Sequence, residues 1–144
     1  MSQELYQQAI KELARAAHGA GALAAAQGSA KLDNPLCGDR VHLEVELSTG
    51  RIRALGHQTR GCLLCRAAAS VLGLHAAGHT RQQLAALQAE LGQWLQAETA
   101  APPADWPELA VFQPVQAFPS RHGCVLLPFQ AVLAALDSLD KDAP

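Results

Sequence analysis

The residues best suited to chemistry in this sequence are three cysteines and one aspartate, which stand at breaks between predicted elements. Cys37 comes just before a predicted strand, Cys62 stands where a helix begins, and Cys124 lies near the start of the last helix. Asp39 follows Cys37 with Gly38 between them, and the glycine allows a tight turn that would point both side chains at one ion. Thiolate is the soft ligand that Zn²⁺ and iron–sulfur clusters select, and a carboxylate is a harder, weaker donor. The spacing suggests a four-ligand metal site.

The fourth cysteine, Cys65, forms a Cys-x-x-Cys pair with Cys62 at the start of a helix, which is also a redox pattern. One helical turn separates the two residues, so we expect both sulfurs on roughly the same helix face and the Cys65 sulfur near the metal site. Inside an alanine-rich helix, however, a cysteine is most often a small buried hydrophobe. A core residue, a spare ligand and a resolving thiol are the three interpretations open for Cys65.

Composition and charge argue against several other classes of function. The chain has 144 residues, 49% of them hydrophobic and 17% charged, which is typical of one globular domain. A net charge of -2 with no run of Lys or Arg lacks the basic footprint of a nucleic-acid or membrane-surface protein. The longest apolar stretch, Val125 to Ala135, is too short to span a bilayer, and the N-terminus carries no basic leader.

These features predict one domain over residues 1–144, with flexible ends at about 1–3 and 138–144. We expect a cytoplasmic protein without nucleic-acid or membrane partners. In a reducing compartment, the four cysteines are better candidates for ligands, nucleophiles or core residues than for disulfide partners.

The N-terminal part predicts one helix followed by a small sheet. Helical spacing of apolar residues extends from Glu4 to Ala17. After a loose Ala/Gly stretch and a turn-like Asp33-Asn34-Pro35, the run Val41 to Leu47 alternates apolar and polar residues, as a strand with one wet face does. A turn at Ser48-Thr49-Gly50 leads into a second strand, Arg51 to Thr59, so that the pair forms an antiparallel hairpin.

The C-terminal part predicts helices. One extends from Cys62 to about Ala77, and a second follows a capping box at Thr80 and reaches Leu95. A short helix to about Phe112 and a final helix from Ser120 to Leu136, with Pro128 inside it, complete the chain. The fold class is therefore α+β: an N-terminal helix and a small antiparallel β-meander packed against a C-terminal helical layer.

Three segments around the cysteines resemble the motifs of the IscU/NifU scaffold family. They are Asn34-Pro35-Leu36-Cys37-Gly38-Asp39-Arg40, Gly61-Cys62, and Phe118-Pro119-Ser120-Arg121-His122-Gly123-Cys124. The resemblance covers nearly the whole chain and implies the SufE/NifU-like fold. The long segment between Cys62 and Cys124, together with Arg121, is similar to the SufU branch. The IscU branch instead has a histidine where this chain has Gly123, and it carries a Leu-Pro-Pro-Val-Lys chaperone motif that this chain lacks.

The resemblance implies a role for each site residue. Cys37, Asp39, Cys62 and Cys124 would be the metal ligands, holding Zn²⁺ or a transient [2Fe-2S] cluster. Cys124 would accept sulfur from a cysteine desulfurase, and acceptor apo-proteins would take the product. Two interpretations of Arg121 follow from its own chemistry: it is a surface charge, or it supports the site by lowering the pKa of nearby thiols or by holding a carboxylate.

Three functional hypotheses follow. The first is a non-enzymatic assembly protein for iron–sulfur clusters, acting as scaffold or as zinc-dependent sulfur acceptor. The second is a dithiol redox protein that uses Cys62 and Cys65, although this pair follows a β-meander and not the β-α-β arrangement typical of such proteins. The third is a structural zinc protein, which would unfold when its metal is removed.

Overall fold

The computed structural model describes residues 3–141 and has the α+β architecture that the sequence predicts. Four α-helices, three strands and two 3₁₀ helices follow one another along the described chain. In chain order they are α1 (Gln3–Ala16), β1 (Gly28–Asn34), β2 (Asp39–Ser48), β3 (Arg51–Arg60), α2 (Leu63–His75), α3 (Arg81–Leu95), the 3₁₀ helices Pro107–Ala117 and Pro119–Arg121, and α4 (His122–Lys141). Residues 1–2 and 142–144 of the predicted flexible ends lie outside the described residues.

The sheet is an antiparallel meander in the order β1-β2-β3. Val41, Leu43 and Val45 of β2 are fully buried, while the residues between them are partly exposed, so the predicted alternation has one inner and one wet face. The sheet contains one strand more than the sequence predicts. The additional strand is β1, which falls in the segment whose sequence indicates loose chain and a turn. Asn34 pairs with Asp39, which makes residues 35–38 a hairpin connection between β1 and β2.

The helical layer covers the inner face of this sheet. Helix α4 packs against β1, β2, α2 and α3, and α2 packs against α1 and β3. The alanines Ala67, Ala68 and Ala69 of α2 are fully buried, and their small side chains let neighbouring elements approach closely. The capping box at Thr80 forms as predicted, with Gln83 N–H donating to the Thr80 hydroxyl at 3.1 Å.

The segment Pro119–Leu139, which contains most of the last helix, meets the length and composition criteria of a membrane span. The apolar stretch Val125 to Ala135 alone is too short to meet them. Half of the most apolar part of this segment is buried inside the protein, against the sheet and two helices. Among the described residues, no other helix meets these criteria. Buried core helices of soluble proteins commonly meet them too. Pro128 lies within α4 without ending it.

Candidate metal centre

Three separate elements deliver the site residues to one place at the surface. Cys37 lies in the hairpin connection between β1 and β2, and Asp39 is the first residue of β2. Cys62 is the N-cap residue of α2, and Cys124 lies in the first turn of α4. All four positions are element ends, as the sequence predicts.

Cys37, Asp39 and Cys124 form the tightest part of the site. Their ligand atoms all lie within 4.8 Å of one another. The Cys37 Sγ lies 2.8 Å from Asp39 Oδ2 and 2.9 Å from Cys124 Sγ. Ligands of one tetrahedral ion with bonds of about 2.3 Å stand about 3.8 Å apart, so a small spreading of these side chains would accommodate one ion.

Cys62 joins the group through Asp39. Its backbone N–H donates to Asp39 Oδ1 at 2.7 Å, and its sulfur lies 3.5 Å from Asp39 Oδ2. The Cys62 sulfur stands outside the set of ligand atoms that are all within 4.8 Å of one another. Asp39 is therefore the residue that connects the thiol of the hairpin with the thiol at the start of α2.

Exposure differs sharply among the site residues. Cys37 is exposed and Cys62 is partly exposed, whereas Cys124 and Asp39 are fully buried. Residues 35–38 are all exposed, and the Cys37 thiol among them contacts the buried Cys124 thiol. A reagent or partner that approaches from solvent meets Cys37 first.

The hydrogen bonds at Asp39 set the ionisation of the whole group. Burial opposes a charge on Asp39, but the hydrogen bonds from the Cys37 thiol and the Cys62 N–H outweigh it and hold the pKa of Asp39 below its usual value. Burial raises the pKa of Cys124, and the contact with Cys37 raises it further. The pKa of Cys37 is raised by desolvation and by its hydrogen bond to Asp39. Without metal, the site is an ionised carboxylate surrounded by protonated Cys37 and Cys124 thiols.

Two glycines shape the backbone around these donors. Gly38 has a φ of +73°, the left-handed conformation that lets the hairpin connection turn between Cys37 and Asp39. Gly61 has a φ of +147°, and a Cβ at this position would collide with the Asp39 carboxylate. The sequence predicts the turn at Gly38, whereas Gly61 stands out there only as part of the Gly61-Cys62 motif.

Asn34 is a site residue that the sequence analysis missed. It is 8% exposed, its amide group donates weakly to Cys124 Sγ at 3.9 Å, and its Oδ1 accepts from Leu36 N–H at 3.1 Å. Its backbone oxygen accepts from the N–H groups of Cys37 and Gly38. The contact of Asn34 Oδ1 with the N–H two residues further on is an Asx-type turn, for which an asparagine is a local signal, but the contact with Cys124 has no such signal.

The other residues of interest near the cysteine motifs lie in different surroundings. Cys65 is fully buried among core residues, and burial raises the pKa of its thiol. Arg121 is exposed and lines a groove with Leu64 and Phe118, and among the described side chains it makes no ion pair with Asp39. The His122 Nε2 bonds to the backbone oxygen of Val115 at 3.0 Å, so this nitrogen is directed to the 3₁₀ helix.

The donor set fits a thiophilic ion. Three thiols and one carboxylate are ligands that zinc and iron–sulfur clusters accept, and the one harder donor makes the set less tightly binding than four thiolates. The protein holds these donors near the surface, with one of them exposed to solvent. Such a site can take up and give up a metal species.

Comparison with known proteins agrees with this chemistry. The sequence profile of the NifU-like N terminal domain matches residues 5–124. The iron–sulfur cluster assembly scaffold protein IscU of Streptococcus pyogenes serotype M1 is 24% identical over 132 residues, which are 92% of this chain and 82% of that protein.

Solved structures show the same fold. A NifU-like protein (N-terminal) from Brucella abortus superposes with a TM-score of 0.89 at 26% identity, over 99% of this chain and 100% of that one. A candidate iron–sulfur cluster assembly scaffold protein for the SUF system from the thermophile Fervidobacterium islandicum AW-1 has a TM-score of 0.81 at 21% identity, over 94% and 99%. Because the family profile covers most of the chain, the resemblance seen in the three cysteine motifs is confirmed, and this chain belongs to the NifU-like N-terminal domain family, the IscU/NifU scaffolds.

Proposed function

We propose that this chain assembles iron–sulfur clusters in the cytoplasm as a SufU-like protein, with Cys37, Asp39, Cys62 and Cys124 holding either the nascent cluster or a zinc ion. The observation that carries the proposal is the meeting of Cys37, Asp39 and Cys124 within 4.8 Å, although Cys124 is 87 residues from Cys37 along the chain. A thiol set with one weak oxygen donor suits a cargo that must leave again. A zinc ion in this site would keep its thiol ligands deprotonated and therefore nucleophilic.

Cys124 is the proposed sulfur acceptor. Its thiolate attacks the outer sulfur of a persulfide on a cysteine desulfurase, a new S–S bond forms on Cys124, and the desulfurase cysteine leaves as a thiolate. The step needs no external oxidant or reductant, because one S–S bond forms as another breaks. Because Cys124 is buried behind Cys37, the step requires the hairpin connection at residues 35–38 to move aside.

The experiment that tests the metal role is anaerobic assembly with a cysteine desulfurase, cysteine and iron, followed by elemental analysis and an absorption spectrum. We expect metal or a cluster bound at one site per chain, and its loss in Cys37→Ser and Cys124→Ser. Cys65→Ser is the matched control, because Cys65 is a cysteine of the same chain outside the proposed ligand set. Full metal and cluster binding by Cys37→Ser and Cys124→Ser would contradict the proposal.

The acceptor role has a separate test. After exposure to the desulfurase and cysteine alone, alkylation and peptide mass spectrometry locate the persulfide. We expect it on Cys124, with transfer lost in Cys124→Ser. A persulfide found on Cys37 in the parent, and retained in Cys124→Ser, would assign the acceptor role to the exposed thiol instead.

A structural zinc role is the alternative that the fold argues against. The sheet, α2, α3 and α4 share one contiguous core of apolar side chains, which is large enough to stabilise a domain of this size. The buried Asp39 carboxylate also has hydrogen-bond partners within the protein. Treatment with a chelator should therefore leave the circular dichroism spectrum and the cooperative unfolding transition in place, whereas a structural zinc protein would unfold.

A further inference from the structure

A second concave site lies beside the metal centre, between the end of α1, the segment that follows it, and β3. Its volume is about 480 Å³, within the range of pockets that hold small metabolites. One wall consists of the small side chains of Ala14, Ala17 and Ala20, which leave the space open. The opposite wall carries Thr59, Arg60 and Arg66.

The two arginines of this cavity lack a counter-ion. Neither Arg60 nor Arg66 forms an ion pair with any side chain that the structure describes. Three other arginines of the chain do have a carboxylate partner: Arg40 pairs with Asp33, Arg53 with Glu46 and Arg81 with Asp137. Arg66 lies in the second turn of α2, where a cation gains nothing from the helix dipole. Two arginines without an ion-pair partner among the described side chains therefore line the same cavity.

The floor of the cavity is neutral and firmly held. His57 is 4% exposed, and its two ring nitrogens are bonded to the His18 oxygen at 2.8 Å and to the Thr59 hydroxyl at 3.0 Å. A carbonyl oxygen can only accept, so Nε2 donates to the His18 oxygen. Burial lowers the pKa of His57 and favours the neutral ring, so Nδ1 accepts from Thr59. His57 therefore adds no charge, and the positive field of the cavity comes from the two guanidinium groups.

We propose that this cavity binds a small metabolite with two acidic groups, phosphate or carboxylate, one of which pairs with Arg60 and the other with Arg66. A guanidinium group offers a planar fork of N–H donors that matches both kinds of acid. The volume admits a molecule of that size, and the small side chains of the alanine wall leave room for its backbone. The proposal does not depend on the proposed function.

The position of the cavity links it to a site cysteine. Arg60 is separated from Cys62 by Gly61 alone, and the Arg66 N–H bonds to the Cys62 backbone oxygen at 3.1 Å. A ligand held by both arginines would brace the first turn of α2, at whose N-cap Cys62 stands. Occupancy of the cavity should therefore change the rate at which an alkylating reagent modifies Cys62.

The experiment is isothermal titration calorimetry of the full chain with inorganic phosphate, pyrophosphate and succinate at low ionic strength. We expect saturable binding of pyrophosphate or succinate, and the better of the two identifies the kind of acidic group. Each of Arg60→Gln and Arg66→Gln should weaken it about tenfold, and the double variant should abolish it. Arg53→Gln is the matched control, because Arg53 is an exposed arginine on the same strand as Arg60 but does not line the cavity.

Several outcomes would overturn the proposal. They are an absence of saturable binding for all three probes, binding that survives in the double variant, and equal weakening in Arg53→Gln. Binding of all three probes with one affinity that vanishes at moderate salt would also overturn it, because that pattern is a general charge effect. Arg60 and Arg66 are both exposed, so their substitution should leave the urea unfolding curve unchanged, which verifies that a loss of binding is local.

Discussion

Adding a single methyl group at Gly61 should damage the metal centre and the fold together. The φ of +147° at Gly61 belongs to a region that is essentially restricted to glycine, and an L-residue there costs about 1–3 kcal/mol. The new Cβ would also collide with the Asp39 carboxylate, which is fully buried. Displacing that carboxylate breaks the 2.7 Å hydrogen bond from the Cys62 N–H, and the loss of a partner by the buried Asp39 carboxylate costs about 1–3 kcal/mol.

Together these effects predict that Gly61→Ala lowers the free energy of unfolding by about 2–6 kcal/mol. A small domain has about 5–15 kcal/mol in total, so the variant should still fold at low temperature. Zinc titration against a chromophoric chelator should show an affinity at least about tenfold weaker, since the new Cβ would also lie 2.9 Å from the Asp39 Cα and would displace the backbone that positions the Cys37 thiol.

The matched control is Gly50→Ala in the turn between β2 and β3. Gly50 has a φ of +78°, but a Cβ there would meet nothing within 4 Å. In this control, only the left-handed backbone conformation lowers the free energy of unfolding, by about 1–2 kcal/mol. Its zinc affinity should equal that of the parent. In an Asp39→Ala background, Gly61→Ala should lose less stability than in the parent, because the carboxylate it collides with is gone. Equal stability and equal zinc affinity of Gly61→Ala and Gly50→Ala would refute the reasoning.

Three further substitutions test other parts of the structure. Asp39→Ala should slow the release of bound metal to a chelator or acceptor protein, because it removes the weak oxygen donor and leaves thiolates; release as fast as in the parent would contradict this. His57 has a pKa lowered by burial, so the stability it provides is full above about pH 6.5 and falls as the pH drops below it, by up to about 1.4 kcal/mol per pH unit. Urea unfolding at several pH values should show this loss in the parent and a flatter profile in His57→Gln. Cys65→Ser should leave metal content nearly intact and lower the free energy of unfolding by about 1–3 kcal/mol, because it buries a hydroxyl. It should also slow the clearance of persulfide from Cys62 or Cys124. If Cys65→Ser abolished metal binding while Asp39→Ala changed nothing, the centre would be a four-thiolate site.

The sequence predicts the fold where pattern and packing agree. The alternation in β2 reports burial of one face directly, and the capping box of α3 is a local signal that needs no tertiary contact. Strand β1 escapes prediction because its sequence, Gly28–Asn34, has no β-branched residue and ends in a turn-forming pair. Its strand conformation comes from pairing with β2 and packing against α4, and these contacts are distant in sequence.

The candidate site can likewise be predicted from the sequence only where the signal is local. Local patterns predict that the cysteines stand at the ends of helices and strands. Cys37, Cys62 and Cys124 all lie at such ends in the structure. Which of them meet, and which of them is buried, depends on the packing of α4 against the sheet. The roles of Asn34 and Gly61 arise from contacts with Cys124 and Asp39 across the fold, so no local signal at either residue specifies them.

Asp39 explains how one site can be both stable without metal and ready to release it. In the metal-free protein its carboxylate is ionised, buried and bonded to the Cys37 thiol and the Cys62 N–H, so no buried charge is left unsatisfied at the site. A metal that binds must displace the hydrogen bond between Asp39 and Cys37 and remove the proton that forms it. Each of these exchanges subtracts from the affinity for the metal, and each is recovered when the metal leaves. In the proposed metal site, the same carboxylate would therefore be the weakest donor to a bound ion and the strongest competitor for its ligands, and both effects would favour transfer over retention.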